Sequence, residues 1–184
     1  MASAFHNTVK CSIYSSCELV EEQGENLNVL VAYYSRTGNN EKLVSELQAK
    51  LGCDVEKIVD TVDRKGVLGW LKSGYQATRK RMTRIEPIKK DPSNYDVVTI
   101  SCPLWGSLMP PPIRTYIFEN KDKFNKVAFI SVSGGGKGND KTIPDFETAI
   151  GKKFSAILLL SQSEKKRGGY EEKLQEFADS VSKL

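Results

Sequence analysis

Three loops of this chain combine residue types suited to holding an anion or a flat ring. The first is Ser35-Arg36-Thr37-Gly38-Asn39-Asn40. It is small and hydroxyl-rich, and a helical pattern follows it. Unpaired main-chain N–H groups at such a helix start attract an anion, and the helix dipole adds to the field. Ser35 and Thr37 add hydroxyl donors. Gly38 lets the backbone approach closely, and Arg36 either adds charge or points outward. That is equipment for a phosphate. The spacing is neither Gly-x-x-x-x-Gly-Lys-Ser/Thr nor Gly-x-Gly-x-x-Gly, so the triphosphate and dinucleotide signatures are both excluded. Alone, an ordinary strand-to-helix turn reads the same way.

The second loop is Ser101-Cys102-Pro103-Leu104-Trp105-Gly106-Ser107-Leu108-Met109-Pro110. A Trp in a loop is costly to expose, so Trp105 calls for either a core or a flat ligand to cover it. Gly106 beside it opens backbone geometries closed to other residues. The third loop contains Ser133, Gly134, Gly135, Gly136 and Lys137. Its glycines let the chain lie against a ligand edge and present N–H donors. A plain flexible connection is the alternative.

What gives these loops meaning is the frame that must position them. Five short apolar runs read as strands: 28–34, 53–59, 96–101, 126–132 and 154–160. The first is apolar throughout rather than alternating, as expected for a strand buried on both faces. Leu43, Val44, Leu47 and Leu51 recur at helical spacing after it, with Asn39 or Asn40 as the cap and Gly52 as the stop. Further helices are expected over 66–81, over 113–119 where the Pro110-Pro111-Pro112 run opens it, over 143–150, and from Tyr170 onward with Leu174, Phe177, Ala178 and Val181 facing inward. Strands alternating with helices imply an α/β, three-layer, doubly wound parallel sheet with right-handed crossovers. In such a sheet ligands bind beyond the carboxyl ends of the strands, at the switch point in strand order. The three loops leave strands one, three and four, whose ends meet at one crevice. Together they are far more specific than any one of them.

In these motifs the chain resembles the flavodoxin-like family, over residues 28–184. The first loop is similar to that family's Ser/Thr-x-Thr-Gly-Asn-Thr phosphate loop, with Asn40 in place of the last Thr. Pro103-Leu104-Trp105-Gly106-Ser107 is similar to its Trp-Gly flavin loop. The resemblance implies a five-stranded parallel sheet in the order 2-1-3-4-5 and one bound FMN. It implies that Ser35, Arg36, Thr37, Gly38, Asn39 and Asn40 bind the phosphate. It implies that Pro103, Leu104, Trp105 and Gly106 line the isoalloxazine ring, and that Ser133, Gly134, Gly135 and Gly136 meet its pyrimidine edge. The Gly106 carbonyl would turn toward flavin N5 in the one-electron state. The implied activity is electron transfer through FMN. The alternative is an FMN-dependent NAD(P)H:quinone-type oxidoreductase, which the lack of an aromatic in the third loop favours slightly. A module that has lost its cofactor is a third reading, against which the intact Thr37-Gly38-Asn39 and Trp105-Gly106 argue.

Composition sets the remaining bounds. The chain has 184 residues, 39% apolar and 27% charged, which suits one domain with an ordinary core. Residues 1–27 lack a secretory-signal pattern, end in an acidic polar stretch from Glu18 with neither helix nor strand periodicity, and read as a flexible leader, with the domain over 28–184. The four cysteines form no C-x-x-C pair or zinc pattern, so a disulfide-free, cytoplasmic protein is expected. The single histidine, His6, lies in the leader, so Ser/His/Asp hydrolysis and histidine-ligated metals are not expected. No apolar stretch reaches membrane-spanning length. Net charge is +4, and the cations concentrate over residues 64–90. That stretch is either a solvated face or a docking face for an acidic redox partner. Nucleic acid is not expected, because no recognition motif accompanies the charge.

Overall fold

The computed structural model of the chain describes residues 27–62, 78–134 and 140–184. Its centre is a five-stranded parallel sheet: β1 (Val29–Tyr33), β2 (Asp54–Lys57), β3 (Val97–Ser101), β4 (Lys126–Ser133) and β5 (Ala156–Ser161), in the order β2-β1-β3-β4-β5. This is the order that the family resemblance implied.

Every residue of β1 is buried, as its unbroken apolar run requires. Successive side chains point to opposite faces. Val29, Val31 and Tyr33 pack with helices α1 (Asn39–Leu51) and α5 (Glu171–Ser182) on one side of the sheet. Ala32 and Tyr34 pack on the other side with α2 (Pro111–Asn120) and α3 (Ile143–Ile150). The result is three layers. The helical faces are those the spacing predicted: Leu43, Val44 and Leu47 in α1, and Leu174, Phe177, Ala178 and Val181 in α5. Each of these Leu, Val and Phe side chains, once buried, contributes about 1.5–3 kcal/mol, and Ala178 less.

Element boundaries differ from the expectation in instructive ways. α1 begins at Asn39, but its cap is Gly38, in the left-handed region at φ 82°, with no side-chain cap bond. Asn39 and Asn40 are therefore inside the helix rather than capping it. Gly52 closes α1 as expected, its N–H bonded to the Gln48 carbonyl. β2 is shorter than the expected 53–59, because its partner β1 ends at Tyr33. α2 starts at Pro111, earlier than expected. Proline at the first helical positions has the right φ and lacks only an N–H that would go unused. A short helix α4 (Gln162–Arg167) was not anticipated. Ser161 and Glu164 form a full capping box that starts it.

The helix expected over 66–81 lies mostly outside the described residues, as do residues 1–26 of the expected leader. Leu27 packs partly against the α1–α5 side of the core. The connector 86–94 ends in a 3₁₀ turn, Pro92–Asn94, capped by Asp91. Its start is held by Glu56, a buried carboxylate that accepts the Lys89 and Lys90 N–H groups at 3.2 and 3.1 Å.

Candidate functional site

The paired register Tyr33↔Ser101↔Ile130 sets the carboxyl ends of β1 and β3 level, with β4 beside them running on to Ser133. The three loops singled out by sequence leave those ends, and side chains tie them to one another.

Asn40 carries the first tie. It is 2% exposed, and its amide spans to β4: Nδ2 donates to the Val132 carbonyl at 3.0 Å, and Oδ1 accepts the Val132 N–H at 2.9 Å. Pairing of β3 with β4 stops at Ser101↔Ile130. The Asn40 amide thus supplies a donor and an acceptor to the β4 backbone just past the point where β3 has run out. The Asn40 side chain is thus committed inward, which leaves its main-chain N–H to face the first loop. The second tie is the Ser131 hydroxyl, which donates to the Cys102 carbonyl at 2.6 Å, at the root of the Trp loop. The third is Thr142, buried just ahead of α3, whose hydroxyl donates to the Ser107 carbonyl at 2.6 Å. It links the far end of the third loop to the second.

The Trp loop itself is a tight reciprocal turn. Trp105 N–H donates to the Leu108 carbonyl at 3.1 Å, and Leu108 N–H to the Trp105 carbonyl at 3.2 Å. Gly106 and Ser107 between them have φ of 60° and 61°. Two central residues of positive φ closed by such a pair define a type I′ turn. Glycine supplies the first at no cost. Ser107 takes the second against its own preference, and Thr142 holds its carbonyl there. Trp105 is half-buried and meets Tyr34 in a T-shaped contact, ring centroids 5.9 Å apart and planes at 75°. Tyr34 leads into the first loop, so the two loops also touch. Leu104 points down into the α2–α3 side of the core, and Pro103 is half-buried.

In the first loop, Thr37 is exposed and Ser35, Arg36, Gly38 and Asn39 are half-buried. Open space lies over the Gly38 Cα, with nothing within 4 Å of where a Cβ would stand. No side chain caps α1, so its first-turn N–H groups face outward as donors for an anion. The acid in that turn, Glu41, is compensated: Lys57 reaches it at 2.7 Å and the Tyr33 hydroxyl donates at 3.1 Å. The Lys57 bond holds the Glu41 carboxyl below the ordinary glutamate range. Burial, with Glu41 adding to it, pushes the Tyr33 phenol up to about 12, so it stays a proton donor at any working pH.

In the third loop, Ser133 belongs to β4 and is buried, so the strand runs one residue past the expected end. Gly134 is exposed. Gly135 and Gly136 lie outside the described residues. Cys102, wholly buried behind the Trp loop, has its thiol pushed well up by burial, and burial raises Cys53 to about 11. Neither is a nucleophile at neutral pH. Among the described residues there is no cluster of metal-ligating side chains. None of their helices is long and apolar enough to cross a membrane.

Comparison with models of known protein families finds no match, and comparison with curated proteins finds none either. Comparison with solved structures finds many. A flavoprotein from Lactobacillus acidophilus NCFM, crystallised with FMN, is 21% identical; the likeness covers 77% of this chain and 97% of that one, with a TM-score of 0.63. A protein described as a flavoprotein from Bacteroides eggerthii DSM 20697 is 23% identical over 86% of this chain and 99% of that one, TM-score 0.66. The two-electron-reduced flavodoxin of Megasphaera elsdenii is 18% identical over 85% and 99%, TM-score 0.53. At these identities the likeness is one of fold, and with the strand order it defines the class: this chain is a flavodoxin-like α/β domain.

Proposed function

We propose that this domain binds one FMN and passes electrons through it. The observation that carries the reading is the tying of the three loops into one crevice, with an uncapped helix N-terminus at one side and the Trp105 turn at the other. The donor set suits the group. Uncapped first-turn N–H groups and the Ser35 and Thr37 hydroxyls match a phosphate, and the space over Gly38 lets it come close. Arg36 adds positive charge near by. Pro103, Trp105 and Gly106 would line the ring system, with Leu104 anchoring them from below. Ser133 to Gly136 would meet the polar edge through backbone groups.

Bound FMN supplies the redox chemistry, and the chain sets the conditions for it. The first loop would meet the phosphate charge with helix-start N–H dipoles, with Arg36 adding to them. Trp105 shields a ring face from water. The type I′ turn, fixed by Thr142, presents the Gly106–Ser107 peptide in one orientation. A cytoplasmic setting fits two buried, free cysteines.

The test is the visible spectrum of the purified protein after FMN is added and dialysed away. A retained flavin spectrum is expected, and a protein that keeps none would sink the reading. The reductase alternative has one observation in its favour: residues 133–139 offer no aromatic to cover the second flavin face. Adding NAD(P)H anaerobically to the loaded protein separates the two, because a pure carrier is not reduced quickly without a reductase.

A further inference from the structure

We propose that residues 79–84 form a preorganised docking strip for the acidic face of a partner protein, placed beside the flavin crevice. Residues 78–85 read Thr-Arg-Lys-Arg-Met-Thr-Arg-Ile, with Arg79, Lys80, Arg81 and Arg84 and no carboxylate. Lys80 takes a left-handed conformation at φ 51°, and the run after it ends in an antiparallel bridge between Ile85 and Asp60.

That run is bolted to the domain by hydrogen bonds from its backbone and from Thr83. Thr83 N–H donates to the Thr115 hydroxyl oxygen at 3.0 Å, and that hydroxyl donates to the Thr83 carbonyl at 2.8 Å. The Thr83 hydroxyl donates to Asp60 at 3.0 Å. Thr61 holds the Arg84 carbonyl through its N–H and its hydroxyl, and Glu86 N–H reaches the Val59 carbonyl at 2.9 Å. Ile85 packs toward the core. With Thr83 and Ile85 turned in, alternation turns Met82 and Arg84 out, and Arg81, at the turn, is exposed as well. Arg81 and Arg84 are exposed, and Met82 between them is 49% exposed, one of three large apolar side chains so exposed among the described residues.

An apolar centre rimmed by cations on a fixed backbone is the anatomy of a recognition surface. It binds with little ordering cost, because the strip is already held. Asp145 is shared by Lys80 at 2.6 Å and Arg114 at 2.8 Å, Asp60 keeps its charge while accepting Thr83 and the Val62 N–H, and Glu86 follows the strip, so three carboxylates stand against the five cations Arg79, Lys80, Arg81, Arg84 and Arg114. The field is therefore left positive. Two chains of bonds place the strip next to the crevice. Thr115 lies in α2, which starts directly after the Trp loop. Asp145 lies in α3, and Thr142 just before it holds Ser107. A partner seated here stands beside the proposed flavin, which is where electron transfer needs it. Charge and apolar centre together favour a protein with Asp and Glu around an apolar contact over a bare polyanion.

The surface does not depend on flavin, although its use in electron transfer rests on the function proposed above, so binding is read with and without added FMN. The probe is a labelled peptide of Asp and Glu around a Leu-Phe pair, followed by fluorescence anisotropy and by amide NMR shifts. Arg81→Glu with Arg84→Glu is expected to weaken it about tenfold at low salt. Met82→Ser is expected to weaken it several-fold with little salt dependence, and the shifts are expected to map to 79–85. Lys166→Glu with Arg167→Glu, exposed cations in α4, is the control and is expected to change little. Equal weakening by the control pair, or shifts centred elsewhere, would overturn the proposal. So would tighter binding of phosphatidylserine vesicles or duplex DNA through the same strip, which would assign it to another class of partner.

Discussion

Replacing Asn40 by Ala removes one side chain and orphans two backbone groups. Val132 is 1% exposed, so its N–H and C=O have no water to turn to when the Asn40 amide goes. Each hydrogen bond is worth about 1 kcal/mol net, and each buried group left unpaired costs about 1–3 kcal/mol. Partial relaxation of the loop offsets some of that, which leaves an expected loss of about 2–4 kcal/mol. For a domain of this size the melting temperature should fall by roughly 5–15 °C. The assay is urea and thermal unfolding of the flavin-free protein, followed by circular dichroism. Asn40→Thr separates structure from ligand binding. It carries the residue of the resembled phosphate loop but cannot span to both Val132 groups, so stability should fall while FMN affinity holds or rises. An Asn40→Ala protein within about 0.5 kcal/mol of the parent would refute the reasoning, because the paired amide would then be incidental.

Thr142→Val should weaken FMN binding about five- to tenfold, a loss of about one hydrogen bond, while Thr142→Ser keeps it; quenching of flavin fluorescence on titration measures both. Glu164 titrates at about 2, held down first by the Ser161 N–H, then by the Ser161 hydroxyl and Lys173. Its folded value lies below the ordinary 4.5, so its stabilising effect is complete above that value and fades as the pH falls toward 2. Ser161→Ala should move the Glu164 titration upward in carboxyl-detected NMR, and an unmoved titration would show the hydroxyl to be irrelevant.

What was legible in the sequence is what short-range pattern encodes. The unbroken apolar run of β1, the helical spacing of Leu43, Leu47 and Leu51, and Gly52 at the end of α1 each announce themselves locally. The positions of the three loops followed from the alternation of strands and helices. What was hidden depends on residues distant in the chain. Nothing near Asn40 says that its amide will meet Val132, 92 positions on. Thr142 is equally silent about Ser107, 35 positions earlier. The α4 helix was a different kind of miss, since Ser161 and Glu164 stand at capping-box spacing in plain view. The left-handed Ser107 was also out of reach, because a serine there is set by the closing bonds around it and not by its own preference.

The Asn40–Val132 tie has a consequence for how the protein comes to be. β1 pairs with β3, which lies 68 positions later counting from Val29 to Val97, and the crevice closes only when β4 has joined as well. Such distant pairings form late and slowly in folding. No fragment containing only the first loop has the walls of the crevice, so a cofactor has nothing complete to grip until the sheet is assembled. FMN would then act as a brake on unfolding rather than as a template for folding. It would lengthen the life of the native state and leave the rate of its formation almost unchanged.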